Sequence, residues 1–185
     1  MSATFGIIDG IGRIELGGAT PPRLATPLFA DPAALDAFLA QDDLRGIVIV
    51  GAGRHFCGGA DPGGLAVGLR DPDALGRELD RGKALLERLA TAPVPVVAAI
   101  RGQCLGAGLE IALSCHFRVA ASGAMFGFPE SGLGLLPGLG GTVPDLPPLA
   151  RRSLVELVVS ARLIGADEAL AAGLVISGLL FDAAD

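Results

Sequence analysis

The fold is decided by residues 93–137, which read PVPVVAAIRGQCLGAGLEIALSCHFRVAASGAMFGFPESGLGLLP. The apolar run 94–100 predicts a buried strand, and a Gly-rich turn over 101–108 follows it. A short helix is predicted over 107–115, and then a second strand over 117–121 and a tight FGFPE turn. This alternation of strand and helix indicates an α/β fold.

The Gly-rich turn is suited to binding a negatively charged oxygen. Gly102, Gly106 and Gly108 allow the backbone to bend sharply and to approach a ligand closely. The helix that begins there directs unpaired N–H groups and its positive dipole end towards the turn. Such a helix end stabilises a phosphate or an enolate.

Two acidic residues in this stretch are candidates for acid–base chemistry. Glu110 is the only charged residue between Arg101 and His116, and Glu130 follows Pro129 in the FGFPE turn. Each has an ordinary explanation on its own, because Glu110 could complete a helix cap and Glu130 could simply follow a turn. Together, in motifs of this kind, they favour catalysis.

Size and charge exclude several classes of function. The chain has 185 residues, of which 51% are hydrophobic and 18% charged, and we expect one folded domain over residues 1–185. A net charge of −6, with Lys83 as the only lysine, disfavours nucleic acid as a partner. Tyr and Trp are absent, so Phe alone is available for stacking bases.

The sequence gives no sign of a membrane or metal protein. No long apolar run is free of Gly, Pro and charge, and the first ten residues lack the layout of a signal peptide, so we expect a cytoplasmic protein with no membrane partner. Cys57, Cys104 and Cys115 lack the spacing of a zinc site. We therefore expect buried thiols in a reducing compartment and no metal.

Turn and capping signals predict the other elements. Asp9-Gly10 indicates a β-hairpin, and Asp31-Pro32 and Asp71-Pro72 resemble helix starts with an N-cap followed by Pro. A dinucleotide-binding loop after the strand 46–50 is rejected, because the third Gly is missing and Pro62 interrupts the stretch that follows. The predicted elements are strands 5–8, 13–16, 46–50 and 174–176, and helices 32–41, 72–92 (with Leu75, Leu79, Leu85, Leu86 and Leu89 as its buried stripe), 151–160 and 166–172. A glycine turn (138–141) and a Pro-interrupted segment precede helix 151–160.

Three stretches resemble the crotonase (enoyl-CoA hydratase/isomerase) superfamily. Residues 95–141 are similar to its signature region, GIVIVGAGRHFCGGADPGGL at 46–65 to its strand and FxxGxD loop, and ADEALAAGLV at 166–175 to its AxEAxxxGLV helix and strand. They occur in the family order. The resemblance implies a spiral of ββα units with short, nearly perpendicular sheets flanked by helices.

The resemblance also implies a reaction and its residues. The family holds a thioester carbonyl with two backbone N–H groups as it becomes an enolate, and these positions match Ala60 and Ala107. Hydratases of the family use two glutamates, which match Glu110 and Glu130; we expect Glu110 to act mainly on water and Glu130 on the α-carbon proton. The other expected substrate-binding residues are Cys57, Gly59, Asp61, Leu65, Gly106, Gly108, Pro129 and Leu133.

The expected substrate is therefore an acyl thioester of CoA or of an acyl carrier protein, with no further cofactor. His116 stands where most relatives carry Asp, and we expect it to be structural; His55 is expected in a solvated loop. The chain ends ten residues after Val175, where the family continues with C-terminal helices that build trimers. We expect a short member or a truncated one, which forms a homo-oligomer with a trimer favoured over a dimer.

Other functions stay open at this point. Within the superfamily the alternatives are an isomerase, a decarboxylase or a dehydratase on a carrier-protein thioester. GQCLGAGLE also resembles hydratases of cyclic dienoyl-CoA substrates. A non-catalytic crotonase-like subunit is a second class, which the retention of both glutamates disfavours. A serine hydrolase is a weak third, because no G-x-S-x-G motif is present.

Overall fold

The computed structural model describes residues 3–18, 21–140 and 148–176. Its strands are β1 Ala3–Ile8, β2 Ile11–Leu16, β3 Gly46–Gly51, β4 Val96–Ile100, β5 Gln103–Leu105, β6 Phe117–Ala120, β7 Met125–Gly127 and β8 Leu163–Gly165. Its helices are α1 Pro32–Leu39, α2 Pro62–Gly68, α3 Pro72–Ala90, α4 Ala107–Ser114, α5 Pro148–Ser160 and α6 Ala166–Ala171, with a 3₁₀ helix at Pro129–Leu133.

The strands form two sheets. The larger has the order β1-β2-β3-β4-β6, in which only the β1–β2 pair is antiparallel. The smaller has the order β5-β7-β8, with β5 parallel to β7 and β8 antiparallel to it. Strands β4 and β5 belong to different sheets, although only Arg101 and Gly102 separate them along the chain. Gly102 has a φ of +55°, which allows this abrupt change of sheet.

The hairpin prediction is confirmed. Ile8 pairs with Ile11 across the two-residue turn, in which Asp9 has a φ of 50° and Gly10 a φ of 76°. Positive φ at both positions is typical of a type I′ turn, whose twist matches that of the flanking strands.

Three helices begin with the same pair of residues. Asp31, Asp61 and Asp71 are the N-caps of α1, α2 and α3, and a Pro follows each of them. Each Asp side chain accepts a hydrogen bond from the backbone N–H three residues on, at 2.9–3.0 Å. This bond satisfies one of the N–H groups that a helix start leaves unpaired.

Helix α4 lies in the centre of the core. Its residues 107–113 are all buried, and it contacts both α3 and β5. Phe126 of β7 and Ala98 and Ile100 of β4 belong to the same buried cluster. Helix α4 is therefore held in place by surrounding structure, which restricts where its first-turn N–H groups can point.

Several predictions need correction. The stretch after Pro62 is helix α2, and the predicted Gly-rich turn contains the short strand β5. Residues 174–176 do not form a strand: the Leu174 carbonyl accepts a bond from the Arg118 side chain, and the Ile176 N–H donates to the Arg118 carbonyl. Only the second of these bonds joins backbone to backbone, and one backbone bond does not make a strand. The FGFPE turn becomes β7 and the 3₁₀ helix, and β8 was not predicted.

The remaining predictions differ by a few residues at their ends. Within helix α3, Leu85, Leu86 and Leu89 are buried as predicted, whereas Leu75 and Leu79 are only partly buried. The end of the predicted glycine turn, at residue 141, and most of the Pro-interrupted segment lie outside the described residues. Among the residues that the structure describes, no helix is long and apolar enough to cross a membrane.

Candidate active site

The start of α4 presents backbone N–H groups without a side-chain cap. Gly106 is the N-cap residue, with a φ of 52° and a ψ of −126°, and no side chain bonds to the first turn. The chain just before α4 is held by two backbone bonds. The Leu105 N–H donates to the Cys57 carbonyl and the Gly106 N–H donates to the Gly127 carbonyl, each at 2.9 Å. The N–H of Ala107 makes no hydrogen bond among the described residues.

A second backbone segment lies beside this helix start. The Leu24 N–H donates to the Gly59 carbonyl at 2.9 Å and the Asp61 N–H to the Leu24 carbonyl at 2.7 Å, so Ala60 is held between two bonds. Gly59 has a φ of +88°, and a Cβ there would lie 2.9 Å from the Leu105 carbonyl oxygen and 3.7 Å from the Ala107 nitrogen. Only Gly permits this approach, which places the Ala60 segment against the start of α4. The Ala60 N–H is also unbonded within the described chain.

Glu110 lies in the first turn of α4 with its side chain buried. Only 3% of the residue is exposed, and its Oε1 accepts a hydrogen bond of 2.8 Å from the Leu139 backbone N–H. Burying a carboxylate is costly unless hydrogen bonds support it. The Leu139 N–H supplies such a bond and fixes the orientation of the side chain.

Glu130 occupies the first turn of the 3₁₀ helix. Its Oε1 lies so close to Gly106 that a Cβ at position 106 would overlap it. Its Oε2 is buried and has no hydrogen-bond partner among the described residues. Burial raises the pKa of this carboxyl above its ordinary value, and a hydrogen bond from its own backbone N–H offsets that effect only in part.

Both glutamates line one cavity of about 170 Å³ together with Ala60 and Ala107. The rest of the described wall is mainly apolar and comes from four places: residues 24–27, helix α2 with its C-cap residue, helix α3 and the loop after the 3₁₀ helix. These residues are Leu24, Ala25, Thr26, Pro27, Leu65, Leu69, Leu75, Leu79, Leu135, Leu136, Gly138 and Leu139. The site therefore combines two carboxyl groups and two unbonded N–H groups with an apolar chamber.

The other residues predicted for substrate binding have different positions. Leu65 lines the cavity, and Gly59 lies behind it against the Leu105 carbonyl. Asp61 caps α2 by accepting a bond of 2.9 Å from the Gly64 N–H. Leu133 is 70% exposed and outside the cavity wall, and Pro129, which is also exposed, only begins the 3₁₀ helix.

Cys57 is buried behind the loop and not in the cavity wall. It forms a β-bridge with Cys104, and a Cβ at Gly108 would lie 2.6 Å from the Cys57 Cβ. Burial raises the pKa of the Cys57 thiol to about 11. Cys57 and Gly108 therefore pack the loop onto α4, and Gly106 gives Glu130 room beside the helix start.

The two histidines lie outside the cavity. His116 accepts a bond from the Val96 N–H at 2.9 Å and its Nε2 lies 3.1 Å from the Ala90 carbonyl oxygen, so the predicted structural role is confirmed. His55 is half-buried and its Nδ1 accepts a bond from the Gln103 N–H at 3.1 Å. The expectation of a solvated His55 is wrong, because its ring is half-buried and accepts a hydrogen bond from the first backbone N–H of β5.

Sequence reasoning missed the Leu139 N–H that bonds to Glu110 and the leucines of α3 that line the cavity. The Leu139 N–H has no sequence signal, since every residue except Pro carries one. Leu75 and Leu79 were predicted as core, but they line the cavity. The one usable signal was Asp61-Pro62, the same pair that predicted α1 and α3. Among the described residues, no group of three or more His, Cys, Asp or Glu side chains is placed to hold a metal.

Comparisons with known proteins show which family the chain resembles. Residues 32–179 match the enoyl-CoA hydratase/isomerase family model. A probable enoyl-CoA hydratase of Bacillus subtilis is 38% identical over 146 residues, which is 79% of this chain and 56% of that protein. A peroxisomal bifunctional enzyme of Cavia porcellus is 41% identical over 142 residues, 76% of this chain and 19% of that protein.

Solved structures show the same fold. An enoyl-CoA hydratase of Polaromonas sp. JS666 superposes with a TM-score of 0.84 at 29% identity, covering 96% of this chain and 70% of that one. The enoyl-CoA hydratase of Thermoplasma volcanium gives a TM-score of 0.83 at 30% identity, with 98% and 73% covered. The chain thus spans little more than half the length of the Bacillus relative and about seven tenths of these structures. The family match covers most of the sequence, and we conclude that the chain belongs to the enoyl-CoA hydratase/isomerase (crotonase) family.

Proposed function

We propose that this chain is an enoyl-CoA hydratase, which adds water to a 2-enoyl thioester or removes it in reverse. The observation that carries the proposal is the shared cavity: Glu110 and Glu130 line it together with Ala60 and Ala107, whose N–H groups make no hydrogen bond within the described chain. The thioester is the substrate, and the proposed chemistry requires no cofactor.

The two N–H groups suit the thioester carbonyl oxygen. Water addition at C3 places negative charge on that oxygen as the enolate forms. N–H groups that are already fixed in position stabilise the charge without reorganising, and the dipole of α4 acts in the same direction. A Cβ at Gly59 would lie 3.7 Å from the Ala107 nitrogen, so the two segments are close enough to serve one oxygen.

The two carboxyl groups have different environments, which suits different roles. Glu110, held by the Leu139 N–H, takes a proton from water while the water oxygen bonds to C3. The C2–C3 double-bond electrons move to the carbonyl oxygen. Glu130, whose pKa burial raises, then gives its proton to C2 as the enolate collapses. A proton transfer from Glu110 to Glu130 restores the starting state.

The leucine-lined part of the cavity accommodates the acyl group. Apolar walls gain free energy from burying hydrocarbon, and they exclude the bulk water that would weaken the electrostatic effect on the enolate. The described wall offers no charged group besides the two glutamates. An acyl chain ending in a carboxylate would therefore lose its hydration without compensation.

A turnover screen tests the proposal. Short, branched and cyclic 2-enoyl thioesters of CoA and of an acyl carrier protein are incubated with the protein and followed by mass spectrometry and by absorbance of the conjugated enoyl group. The expected result is gain of one water with loss of that absorbance. Isomerisation would leave the mass unchanged and decarboxylation would release carbon dioxide, and either as the main reaction contradicts the proposal.

Variants connect turnover to the glutamates. Glu110→Gln should slow hydration more than it slows exchange of the α-proton of a saturated acyl-CoA in deuterated solvent, because the proposal assigns that proton to Glu130. Glu130→Gln should abolish both. Glu87→Gln, on an exposed part of α3, is the matched control and should retain both activities. Hydration close to wild-type in either site variant would show that the two-carboxyl mechanism is wrong.

A further inference from the structure

Helix α3 contacts the loop after the 3₁₀ helix at two places. A Cβ at Gly138 would lie 2.9 Å from Leu79 Cδ2, and a Cβ at Gly82 would lie 2.6 Å from Leu139 Cδ2. Gly82 also faces the segment that holds Ala60, since its added Cβ would lie 2.7 Å from the Pro27 carbonyl oxygen. Distances this short leave no room for a methyl group at position 82.

Leu139 links this packing to the candidate active site. Its side chain is buried, with 5% of the residue exposed, and packs on α3 at Gly82. Its N–H donates to Glu110 Oε1 at 2.8 Å. The side chain and the N–H belong to one residue, so the depth to which Leu139 enters its packing site determines where its N–H points.

We infer that Gly82 is a positioning residue: the missing side chain at position 82 lets Leu139 pack closely enough for its N–H to fix the Glu110 carboxylate. Gly82 itself contacts no reacting group in this scheme. Its effect passes through Leu139, and a displacement of about 1 Å at a reacting carboxylate is enough to slow catalysis by roughly a hundredfold.

The helix gives an independent reason to look for a role at this position. Gly in the interior of a helix is less favourable than Ala, so a buried mid-helix Gly is explained by what it packs against. The same helix contains Gly76, where an added Cβ meets nothing within 4 Å. Gly76→Ala therefore has the same backbone effect as Gly82→Ala without the steric one, and it is the matched control.

The catalytic test compares two rates in each variant. Gly82→Ala should reduce the kcat of hydration at least about tenfold. The Kd for a saturated acyl-CoA and the rate of α-proton exchange should change much less, because the proposed scheme assigns exchange to Glu130. Leu139→Ala, which loosens the same packing without crowding Pro27, should shift the ratio of hydration to exchange in the same direction. Gly76→Ala should leave the ratio unchanged.

A second measurement does not depend on turnover. The Leu139 amide, bonded to a buried carboxylate, should exchange its hydrogen slowly in the wild-type protein, as resolved by NMR. It should exchange faster in Gly82→Ala and Leu139→Ala but not in Gly76→Ala. Only the catalytic test of this inference rests on the proposed hydratase function. If the wild-type protein has no hydratase activity, that function is wrong, and amide exchange still decides whether Gly82 positions Leu139. An unchanged Leu139 amide in Gly82→Ala, or an unchanged ratio of the two rates, would overturn the inference.

Discussion

At the scale of single residues, Glu130 shows how the fold makes a carboxyl group reactive at a cost in stability. Its Oε2 is buried without a partner among the described residues, and burial raises its pKa above the ordinary value near 4.5. The folded protein therefore binds this proton more tightly than the unfolded chain does. Between the unfolded and folded pKa values the unfolded state is the more deprotonated one, so the free energy of unfolding falls as pH rises through this range.

Glu130→Gln should therefore separate activity from stability. We expect hydration to be lost, while the melting temperature at neutral pH equals or exceeds that of the wild type, because a buried amide is neutral without taking up a proton on folding. The difference should shrink as pH falls below about 4.5, where the wild-type carboxyl is protonated in both states. Thermal unfolding followed by circular dichroism across this pH range checks the prediction. A large loss of stability at neutral pH would show that Glu130 is well supported as a carboxylate.

Leu79 and Gly138 should control the length of the acyl group. An apolar cavity of about 150 Å³ in another protein holds benzene, so the cavity here suits an acyl portion of roughly six carbon atoms. Gly138→Ala directs a methyl group at Leu79 and should move the best substrate to a shorter chain. Leu79→Ala should move it to a longer one. Measuring kcat/KM for saturated-tail enoyl-CoA substrates of increasing length tests both, with Gly123→Ala as the control because a Cβ there meets nothing within 4 Å.

At the scale of elements, α4 differs from the three helices that precede it. Helices α1, α2 and α3 begin with an Asp cap and a Pro. One N–H of the first turn is bonded to the Asp side chain, and the Pro at the first helical position has no N–H. Helix α4 begins with Gly106 and Ala107, which leaves the N–H of Ala107, a residue of the cavity wall, without a partner among the described residues. Of these four helices, only α4 therefore begins without a side-chain cap.

Ala107→Pro tests that difference. Pro is well tolerated at the first position of a helix, as Pro32, Pro62 and Pro72 show in this chain, so the fold should survive. Removing one N–H that stabilises an oxyanion should lower kcat/KM by about a hundredfold or more. Ala107→Ser, which keeps the N–H, is the control. A folded Ala107→Pro protein with wild-type kcat/KM would exclude this N–H from the mechanism.

The elements also show what sequence could predict and what it could not. The Asp-Pro pairs and the leucine stripe located α1 and α3 within two residues at each end, because capping and periodicity are local. The same pair was overlooked at α2, a seven-residue helix that contains Gly63, Gly64 and Gly68. Strands β5 and β8 have three residues each, too few for a pattern, and exist through their pairing with β7.

The candidate site was predictable only where a sequence motif marks the residue. Glu110, Glu130, Ala60 and Ala107 were identified from motifs, and the structure places all four around one cavity. The Leu139 N–H and the contact at Gly82 depend on distant parts of the chain meeting in space. No local pattern encodes such a meeting.

At the scale of the whole molecule, apolar side chains are exposed in two adjacent elements. Leu133 and Leu136 are 70% and 71% exposed in and after the 3₁₀ helix, and Val155 and Val159 are 55% and 76% exposed on α5, which packs against it. Clusters of exposed apolar residues favour association. We expect a homo-oligomer, with a trimer favoured as the family resemblance implies.

Light scattering over a dilution series tests the assembly. The wild type should form one oligomer at micromolar concentration, and Val155→Glu combined with Val159→Glu should dissociate it, because two charges would be buried without partners. Ile8→Glu, at an equally exposed position in the hairpin, is the control and should not change the mass. An active wild-type monomer over the whole series would show that this prediction is wrong.

The backbone β-bridge between Cys57 and Cys104, whose thiols are free and buried, makes it possible to measure how often this part of the chain opens. Both thiols lie behind the loop that carries Ala60, and burial raises the pKa of Cys57 to about 11, so an alkylating reagent can react only after the loop lifts away. The rate of Cys57 alkylation under native conditions should therefore count opening events. A bound acyl-CoA should slow that rate, while Cys115, buried elsewhere with a pKa of about 12, should respond less. The rate of Cys57 alkylation would then report whether the site is occupied.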